Sequence, residues 1–372
     1  MRKIFEKSTI NNLTLRNRLV RSATWEGMCE PDGRPTPKLA DCYRDLARGG
    51  VGLIISGYAY VSAEGRQLPC TLAADSDKFT GDLKMITEAV HAEDGKICLQ
   101  LVHVGGQTKG KDIGRAPLAP SAVMTGQFPQ LPVEMSFAEI QRIIKAFGES
   151  AGRARQCGFD AVQLHGAHGY LINQFLSPLT NQRTDEYGGG IDNRCRFMIE
   201  VYWKVRDVVG KDYPVMIKLN GADHLEGGLE LEDAVYAAEL LDQEGIDAIE
   251  ISGGTPASGD KAPIRNKITS PALEAYNLPL CRAIKAAVSC PVMVVGGFRS
   301  FAVAEQTIQN DADYVSMARP FIREPDLAKR WQAGNRSTAA CISCSACFMP
   351  GIKEGGIYCV VEKKQRGKTK SC

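Results

Sequence analysis

Residues 161–176 read Ala161-Val-Gln-Leu-His165-Gly-Ala-His168-Gly-Tyr170-Leu-Ile-Asn173-Gln174-Phe-Leu176. A short apolar run, typical of a buried strand, is followed at once by two of the five histidines of the chain and a tyrosine. Two imidazoles and a phenol at the end of a buried strand are poorly suited to a core. They are well suited to holding a carbonyl oxygen and delivering a proton beside it. The stretch therefore predicts an active site at the end of a strand.

Similar apolar, β-branched runs recur along the chain and predict eight strands. They cover residues 19–24, 51–56, 97–102, 160–165, 215–219, 246–252, 291–295 and 313–317. Each run is short and uniformly apolar, as expected of a strand that is buried on both faces. Helical patterns lie between them, over residues 136–157, 231–244, 271–288 and 301–309. The first helix opens on a capping-box pattern, with Ser136 followed by Glu139. Eight such units predict an α/β fold, a (β/α)8 TIM barrel, in preference to a doubly wound sheet.

Length and composition narrow the class of protein. The chain has 372 residues, of which 44% are hydrophobic and 24% charged, as in globular proteins. A formal net charge of +2 argues against nucleic acid or a membrane as the main partner. The amino terminus is charged and lacks the apolar core of a secretory signal, so a cytoplasmic location is expected. The sequence leaves the oligomeric state open, including a homo-oligomer.

The chemically unusual residues follow the predicted strands at their carboxyl ends. His165, His168 and Tyr170 follow the fourth strand, Lys218 ends the fifth, Gly296 and Gly297 follow the seventh, and Arg319 follows the eighth. In (β/α)8 barrels the active site is built at this end. A purely structural barrel has no reason to collect polar residues there, so the pattern predicts an enzyme that acts on a small molecule.

The residues after strands seven and eight suit a phosphate group. The backbone N–H groups of Gly296 and Gly297 and the guanidinium of Arg319 can together bind a phosphate monoester. Barrels commonly bind phosphate at these two loops. The alternative is a tight turn at the two glycines and a surface arginine.

Lys218 and Gln100 are polar residues within otherwise apolar strands. A lysine at the mouth of a barrel needs an anion or an acceptor, which the pyrimidine edge of a flavin would supply. Gln100 offers the donor and acceptor pair that such an edge requires. The alternatives are an ion pair between Lys218 and Glu250 and an ordinary buried amide at Gln100. His165 and His168 could instead bind zinc, but no third ligand follows close in sequence.

Several motifs together resemble the Old Yellow Enzyme family of FMN-dependent NAD(P)H:flavin oxidoreductases. They are Asn17-Arg18-Leu-Val, Gln100-Leu-Val-His103, His165-Gly-Ala-His168-Gly-Tyr170-Leu, Thr184-Asp-Glu-Tyr-Gly-Gly189, Asn193-Arg194-Cys-Arg196-Phe197, Gly296-Gly297 and Arg319. The resemblance covers roughly residues 3 to 335. It implies an FMN-binding barrel in which NAD(P)H is the reductant and the hydride acceptor is the β-carbon of an α,β-unsaturated carbonyl compound.

The resemblance also implies roles for individual residues. His165 and His168 would hold the carbonyl oxygen of the substrate, and Tyr170 would protonate its α-carbon. The cofactor-binding set would be Thr24, Trp25, Gln100, Lys218, Gly296, Gly297, Ala318 and Arg319.

Three positions depart from the pattern of the family. Trp25, next to Thr24, stands where the family usually has a cysteine or threonine near the flavin. Lys218 stands where many members have arginine, and Gly106 stands where much of the family supplies another arginine.

Cys341, Cys344, Cys347 and Cys359 form a C-x2-C-x2-C-x11-C segment. It is similar to the cluster segment of the dienoyl-CoA reductase and trimethylamine dehydrogenase branch, C-x2-C-x3-C-x11-C, with the second gap one residue shorter. A [4Fe–4S] cluster, a zinc ion and free thiols are all compatible with this spacing.

The cysteine segment also suggests a division of the chain and a second function. We expect an FMN-binding barrel over residues 1–335 and a Cys-rich extension over residues 336–372 that packs on it. A basic run from Lys363 onward predicts a frayed tail. The alternative function is an iron–sulfur flavoprotein dehydrogenase or demethylase that passes electrons to a separate partner.

Overall fold

A closed barrel of eight parallel strands dominates the computed structural model, which describes residues 3–125 and 128–369. The barrel strands are β1 Leu19–Arg21, β2 Leu53–Ile55, β3 Ile97–Val102, β4 Ala161–Gly166, β5 Val215–Asn220, β6 Ala248–Ser252, β7 Val292–Val295 and β8 Tyr314–Met317. Neighbouring strands pair in chain order, and pairing of β8 with β1 closes the barrel. Every predicted strand overlaps one of these, so the predicted (β/α)8 fold is confirmed.

Eight helices follow the strands in turn. They are α1 Pro37–Arg48, α2 Thr80–His91, α3 Phe137–Gln156, α4 Ile191–Val209, α5 Leu231–Gln243, α6 Leu278–Ala287, α7 Phe301–Asn310 and α8 Leu327–Gln332. The predicted capping box is present at the start of α3. The Ser136 Oγ accepts from the Glu139 N–H at 3.3 Å, and a Glu139 carboxylate oxygen accepts from the Ser136 N–H at 2.9 Å.

The prediction of one helix over residues 271–288 is wrong for the first half of that range. One 3₁₀ turn, Pro271–Leu273, is followed by an irregular stretch before α6 begins at Leu278. Pro279 fits the first turn of a new helix but could not donate within a continuous one. The Glu274 carboxylate is used instead to accept from the backbone N–H groups of Arg299 and Ser300, at 2.8 and 2.9 Å.

The lower half of the barrel interior is apolar. Side chains early in the strands, such as Val20, Cys98 and Met216, pack with Ile10 and Leu15. The latter two belong to an antiparallel hairpin of strands Ser8–Ile10 and Leu13–Leu15. The hairpin therefore plugs the amino-terminal end of the barrel.

The next layer of the interior is polar, because side chains of a strand alternate between its faces. Two residues beyond the apolar layer lie Ser22, Gln100, Gln163, Lys218, Glu250 and Ser316, all of them buried. The strands thus carry polar side chains inward, beneath the carboxyl end where the site was predicted.

Shorter strands, helices and 3₁₀ turns lie in the connections outside the barrel strands and the eight helices. The other strands are Ala59–Tyr60, Leu72–Ala73, Leu118–Ala119 and Val133–Glu134. The other α-helices are Gly110–Ile113, Leu171–Leu176, Arg319–Arg323, Met349–Lys353 and Val360–Thr369. Further 3₁₀ turns are Ala63–Gly65, Asp77–Phe79, Gly259–Lys261 and Ala346–Phe348. The prediction of a frayed tail from Lys363 is wrong for residues 363–369, which lie in the helix Val360–Thr369. In that helix Arg366 pairs with Glu362, one turn away, at 2.5 Å. Within the described ranges, no helix is both long and apolar enough to span a membrane.

Candidate active site

A cavity of about 360 Å³ lies at the carboxyl ends of the barrel strands. The residues predicted for catalysis and cofactor binding that border it are Thr24, Trp25, Gln100, His165, His168, Tyr170, Lys218, Gly297, Ala318 and Arg319. Gly296 is the exception, since it precedes Gly297 without bordering the cavity and its carbonyl accepts from the Tyr276 N–H at 3.2 Å. The fold therefore gathers side chains that are far apart in sequence around one space.

The turn after β4 brings its two histidines together. His168 and Gly169 both have left-handed backbone, with φ of 63° and 76°, which is uncommon for a residue with a side chain. This conformation reverses the chain so that the His165 ring lies 5.1 Å from the His168 ring and 4.7 Å from the Tyr170 ring, measured between centroids. Strained backbone of this kind is often found where a site requires it.

Hydrogen bonds orient both imidazoles. The Nδ1 of His165 accepts from the Ala167 N–H at 3.3 Å, which leaves Nε2 to carry the proton. The Nε2 of His168 lies 2.7 Å from the Ser252 Oγ at the end of β6. Burial, with the nearby Lys218 charge, holds the pKa of both histidines well below the ordinary value. They are therefore neutral near pH 7 and can donate a hydrogen bond to a carbonyl oxygen.

Tyr170 lies beside His165 and remains protonated. Its hydroxyl donates to the Gln67 Oε1 at 2.9 Å, and burial raises its pKa to about 12. The Tyr58 ring meets it edge-on, with centroids 5.7 Å apart. A protonated phenol beside neutral imidazoles is suited to act as a general acid.

Lys218 and Gln100 border the cavity from the polar layer of the barrel. The Lys218 Nζ lies 3.2 Å from a Glu250 carboxylate oxygen, and both side chains are buried. The ion pair considered from sequence is therefore present, and the same lysine still borders the cavity. The Gln100 Oε1 is buried and accepts no hydrogen bond within the described part of the chain, so it can accept one from a ligand.

The residues assigned to phosphate follow β7 and β8. Gly297 has a φ of 73°, and a Cβ there would lie 2.9 Å from the Tyr276 ring, so only glycine fits. Arg319 donates to the Ser345 Oγ at 3.1 Å and to the Arg265 carbonyl at 2.8 Å. The Ser316 Oγ also borders the cavity, and no protein group among the described residues bonds to it.

Some residues of the cavity wall were missed from sequence. Tyr58 and Gln67 follow β2, and Ser252 ends β6, so their positions at strand ends offered a signal. Phe348 offered none: it lies in the cysteine segment, yet its ring packs on Trp25 with centroids 5.1 Å apart. The length of the stretch from residue 104 to 135 by itself predicts a lid or a binding element. None of its described residues borders the cavity, and residues 126–127 lie outside the description.

The four cysteines predicted to bind metal border a second, much smaller cavity of about 20 Å³. They are Cys341, Cys344, Cys347 and Cys359. Arg319 borders both cavities, and the Arg323 guanidinium donates to the Cys359 Sγ at 3.5 Å. Among the described residues, no group of three or more Cys, His, Asp or Glu side chains is arranged to hold a metal ion. The assignment of these cysteines to a metal ion or a cluster therefore stays a prediction.

Comparison with known proteins shows to which family the chain belongs. A model of the NADH:flavin oxidoreductase / NADH oxidase family matches residues 3–337. The chain belongs to this family. The resemblance inferred from the sequence motifs is thereby confirmed, and FMN and a nicotinamide reductant are the cofactors that this flavin oxidoreductase family implies.

Individual relatives differ in how much of their length this chain covers. It is 36% identical to an NADH oxidase of Thermoanaerobacter brockii over 346 residues, which make up 92% of this chain and 52% of that protein. It is 36% identical to an NADPH dehydrogenase of Halalkalibacterium halodurans, covering 87% of this chain and 92% of that protein. An Old Yellow Enzyme homologue from Zymomonas mobilis superposes with a TM-score of 0.78 at 28% identity, covering 92% and 96% of the two chains. The chain thus spans about half of the first relative and nearly all of the other two.

Proposed function

We propose that this protein is an FMN-dependent ene reductase that uses NAD(P)H to reduce the C=C bond of α,β-unsaturated carbonyl compounds. The observation that carries the proposal is the grouping of two neutral histidines and a protonated tyrosine on one cavity, beside Lys218 and Gln100. Family membership supports the flavin and the nicotinamide reductant.

The residues of the cavity fit an FMN. Buried oxygens of Gln100 and Ser316 that lack partners in the described chain, the Gly297 backbone and the Arg319 guanidinium offer contacts for polar edges and a phosphate. When bound, the flavin would accept a hydride from NAD(P)H and donate it to the substrate. We assign the flavin ring to Thr24, Trp25, Gln100 and Lys218, and the phosphate to Gly297, Ala318 and Arg319, whereas Gly296 does not border the cavity.

The remaining chemistry belongs to the protein side chains. His165, donating from Nε2, and His168 would hold the carbonyl oxygen and so stabilise the negative charge that develops on it. The Tyr170 hydroxyl would protonate the α-carbon, because a phenol with its pKa raised to about 12 keeps its proton at neutral pH. The Gln67 contact would hold that hydroxyl in place until substrate enters.

The test separates the two half-reactions of the Tyr170→Phe variant. We expect alkene reduction to slow by about 100-fold or more, the contribution typical of a general acid. Flavin reduction by NAD(P)H should stay within a few fold, because it needs no proton from Tyr170. Rapid-mixing spectroscopy at the flavin band measures both rates. Tyr236→Phe removes an exposed phenol on α5, outside the cavity, and is the matched control. Equal slowing of both half-reactions would show that the role given to Tyr170 is wrong.

The cysteine segment supports a second candidate function, an iron–sulfur flavoprotein dehydrogenase or demethylase that delivers electrons to a separate partner. Its support is that four thiols at cluster-like spacing border one cavity next to Arg319. Since the thiols do not form a metal site as arranged, we assign them no step in the reaction. The division into a barrel of residues 1–335 and an extension of residues 336–372 likewise stays a prediction.

Metal analysis tests this second candidate. If it holds, anaerobically purified protein contains iron and sulfide in fixed ratio to the chain, absorbs near about 400 nm, and reduces an artificial one-electron acceptor. Cys344→Ser should abolish the iron, whereas Cys42→Ser, on α1, should leave it unchanged. Iron-free protein that turns over enones would exclude this candidate and leave the ene reductase.

A further inference from the structure

The polar layer of the barrel connects two of the four residues assigned to the flavin ring, Gln100 and Lys218. The Gln100 Nε2 donates to the Gln163 Oε1 at 2.7 Å, and the Gln163 Nε2 donates to one Glu250 oxygen at 2.9 Å. The other Glu250 oxygen accepts from the Ser22 Oγ at 2.7 Å and lies 3.2 Å from the Lys218 Nζ. Lys218 also donates to the Ser22 Oγ at 2.8 Å. Glu250 is therefore the centre of a network that runs from Gln100 to Lys218.

The charge of Glu250 is fully enclosed by protein. Its side chain is 0% exposed and that of Lys218 is 3% exposed, with the two residues opposite each other on β5 and β6. Burial by itself would raise the pKa of Glu250, but the Lys218 charge and the hydrogen bonds from Ser22 and Gln163 outweigh it and lower the pKa. The carboxylate is therefore ionised, and the pair is close to neutral as a unit.

A neutral pair and a free lysine would act differently on a flavin. A lone positive charge at the pyrimidine edge stabilises the reduced flavin, which gains negative charge there, and so makes the potential more positive. A carboxylate 3.2 Å from the ammonium opposes that effect, and inside a barrel the opposition is only weakly screened. Packing alone would not require this ion pair, since apolar side chains in place of both Lys218 and Glu250 would cost less to bury.

We propose that Glu250 is a positioning residue that offsets the Lys218 charge and holds the bound flavin at a more negative reduction potential. This inference rests on the proposed FMN function. A more reducing flavin is a stronger hydride donor, so Glu250 would favour transfer to poorly activated alkenes. No contact between Glu250 and substrate is needed, because the carboxylate acts through Lys218.

The test is the isosteric Glu250→Gln variant, loaded with FMN. We expect the midpoint potential, measured by dye-linked reduction, to become more positive than in the wild type. Sulfite, which adds to the oxidised flavin and places negative charge at the same edge, should bind roughly tenfold tighter or more, given the size of a unit charge effect in a protein interior. Glu250→Asp keeps the charge and should leave both quantities near the wild-type values.

The opposite change provides a second, independent measurement. Lys218→Gln, with Glu250 still present, should make the potential more negative and weaken sulfite binding, so the inference is testable even if Glu250→Gln does not fold. Unchanged potential and sulfite affinity in either FMN-loaded variant would overturn the inference and leave the ene reductase proposal intact. Wild-type protein that takes up no FMN on titration would instead overturn the proposed function itself.

Discussion

The two histidines show how burial and sequence position act together at the scale of single residues. Both follow β4 on one turn, and left-handed backbone at His168 brings the rings to 5.1 Å. Two protonated imidazoles could not coexist at that distance in a buried site beside Lys218. Burial, joined by the Lys218 charge and for His165 by the neighbouring His168, therefore keeps the pKa of both rings low.

This arrangement predicts an unusual pH response. We expect the affinity for a non-reducible carbonyl ligand, cyclohexanone, to stay constant as pH falls from about 8 to about 6, although free histidine protonates near 6.5. Below about pH 6.5 the two histidines are protonated in the unfolded chain but not in the folded one. The free energy of unfolding should therefore decrease as the pH falls further. Flavin difference spectra measure the affinity, and His91→Gln, outside the cavity, is the control. A break in affinity near pH 6.5 that disappears in His165→Gln would contradict the assignment.

At the scale of elements, local signals were reliable where they depended on neighbours in the chain. The capping box of α3 was readable because Ser136 and Glu139 satisfy each other within one turn. The helix expected over residues 271–288 failed because Glu274 binds the backbone of residues 299 and 300 in another part of the fold. A local pattern carries no information about such a distant partner.

The capping box at the start of α3 should contribute measurably to the free energy of unfolding. Ser136→Ala should lower the free energy of unfolding by about 1 kcal/mol, because the Glu139 N–H loses its acceptor. Ser270→Ala is the matched control, since Ser270 precedes a 3₁₀ turn and its side chain makes no capping hydrogen bond. Its effect should stay within about 0.5 kcal/mol. Denaturant unfolding of both variants measures the difference, and equal effects would mean that the α3 cap contributes no specific stability.

At the scale of the whole molecule, the barrel is a stack of layers with different tasks. A hairpin and an apolar layer close the amino-terminal end, a polar layer lies above, and the cavity opens beyond it. The cysteine segment completes the wall, since Phe348 packs on Trp25 and Ser345 holds Arg319. Residues assigned to the flavin thus depend on a part of the chain that lies outside the barrel strands.

The sequence by itself determined the barrel and the end at which the cavity lies. Apolar β-branched runs, helix caps and the His165–Tyr170 turn are local patterns, and strand ends converge in any (β/α)8 barrel. Only the tertiary structure decided the partners: Ser252 for His168, Glu250 for Lys218 and Phe348 for Trp25. The reason is physical, because barrel closure and strand register set which distant side chains meet, and no local periodicity encodes that register.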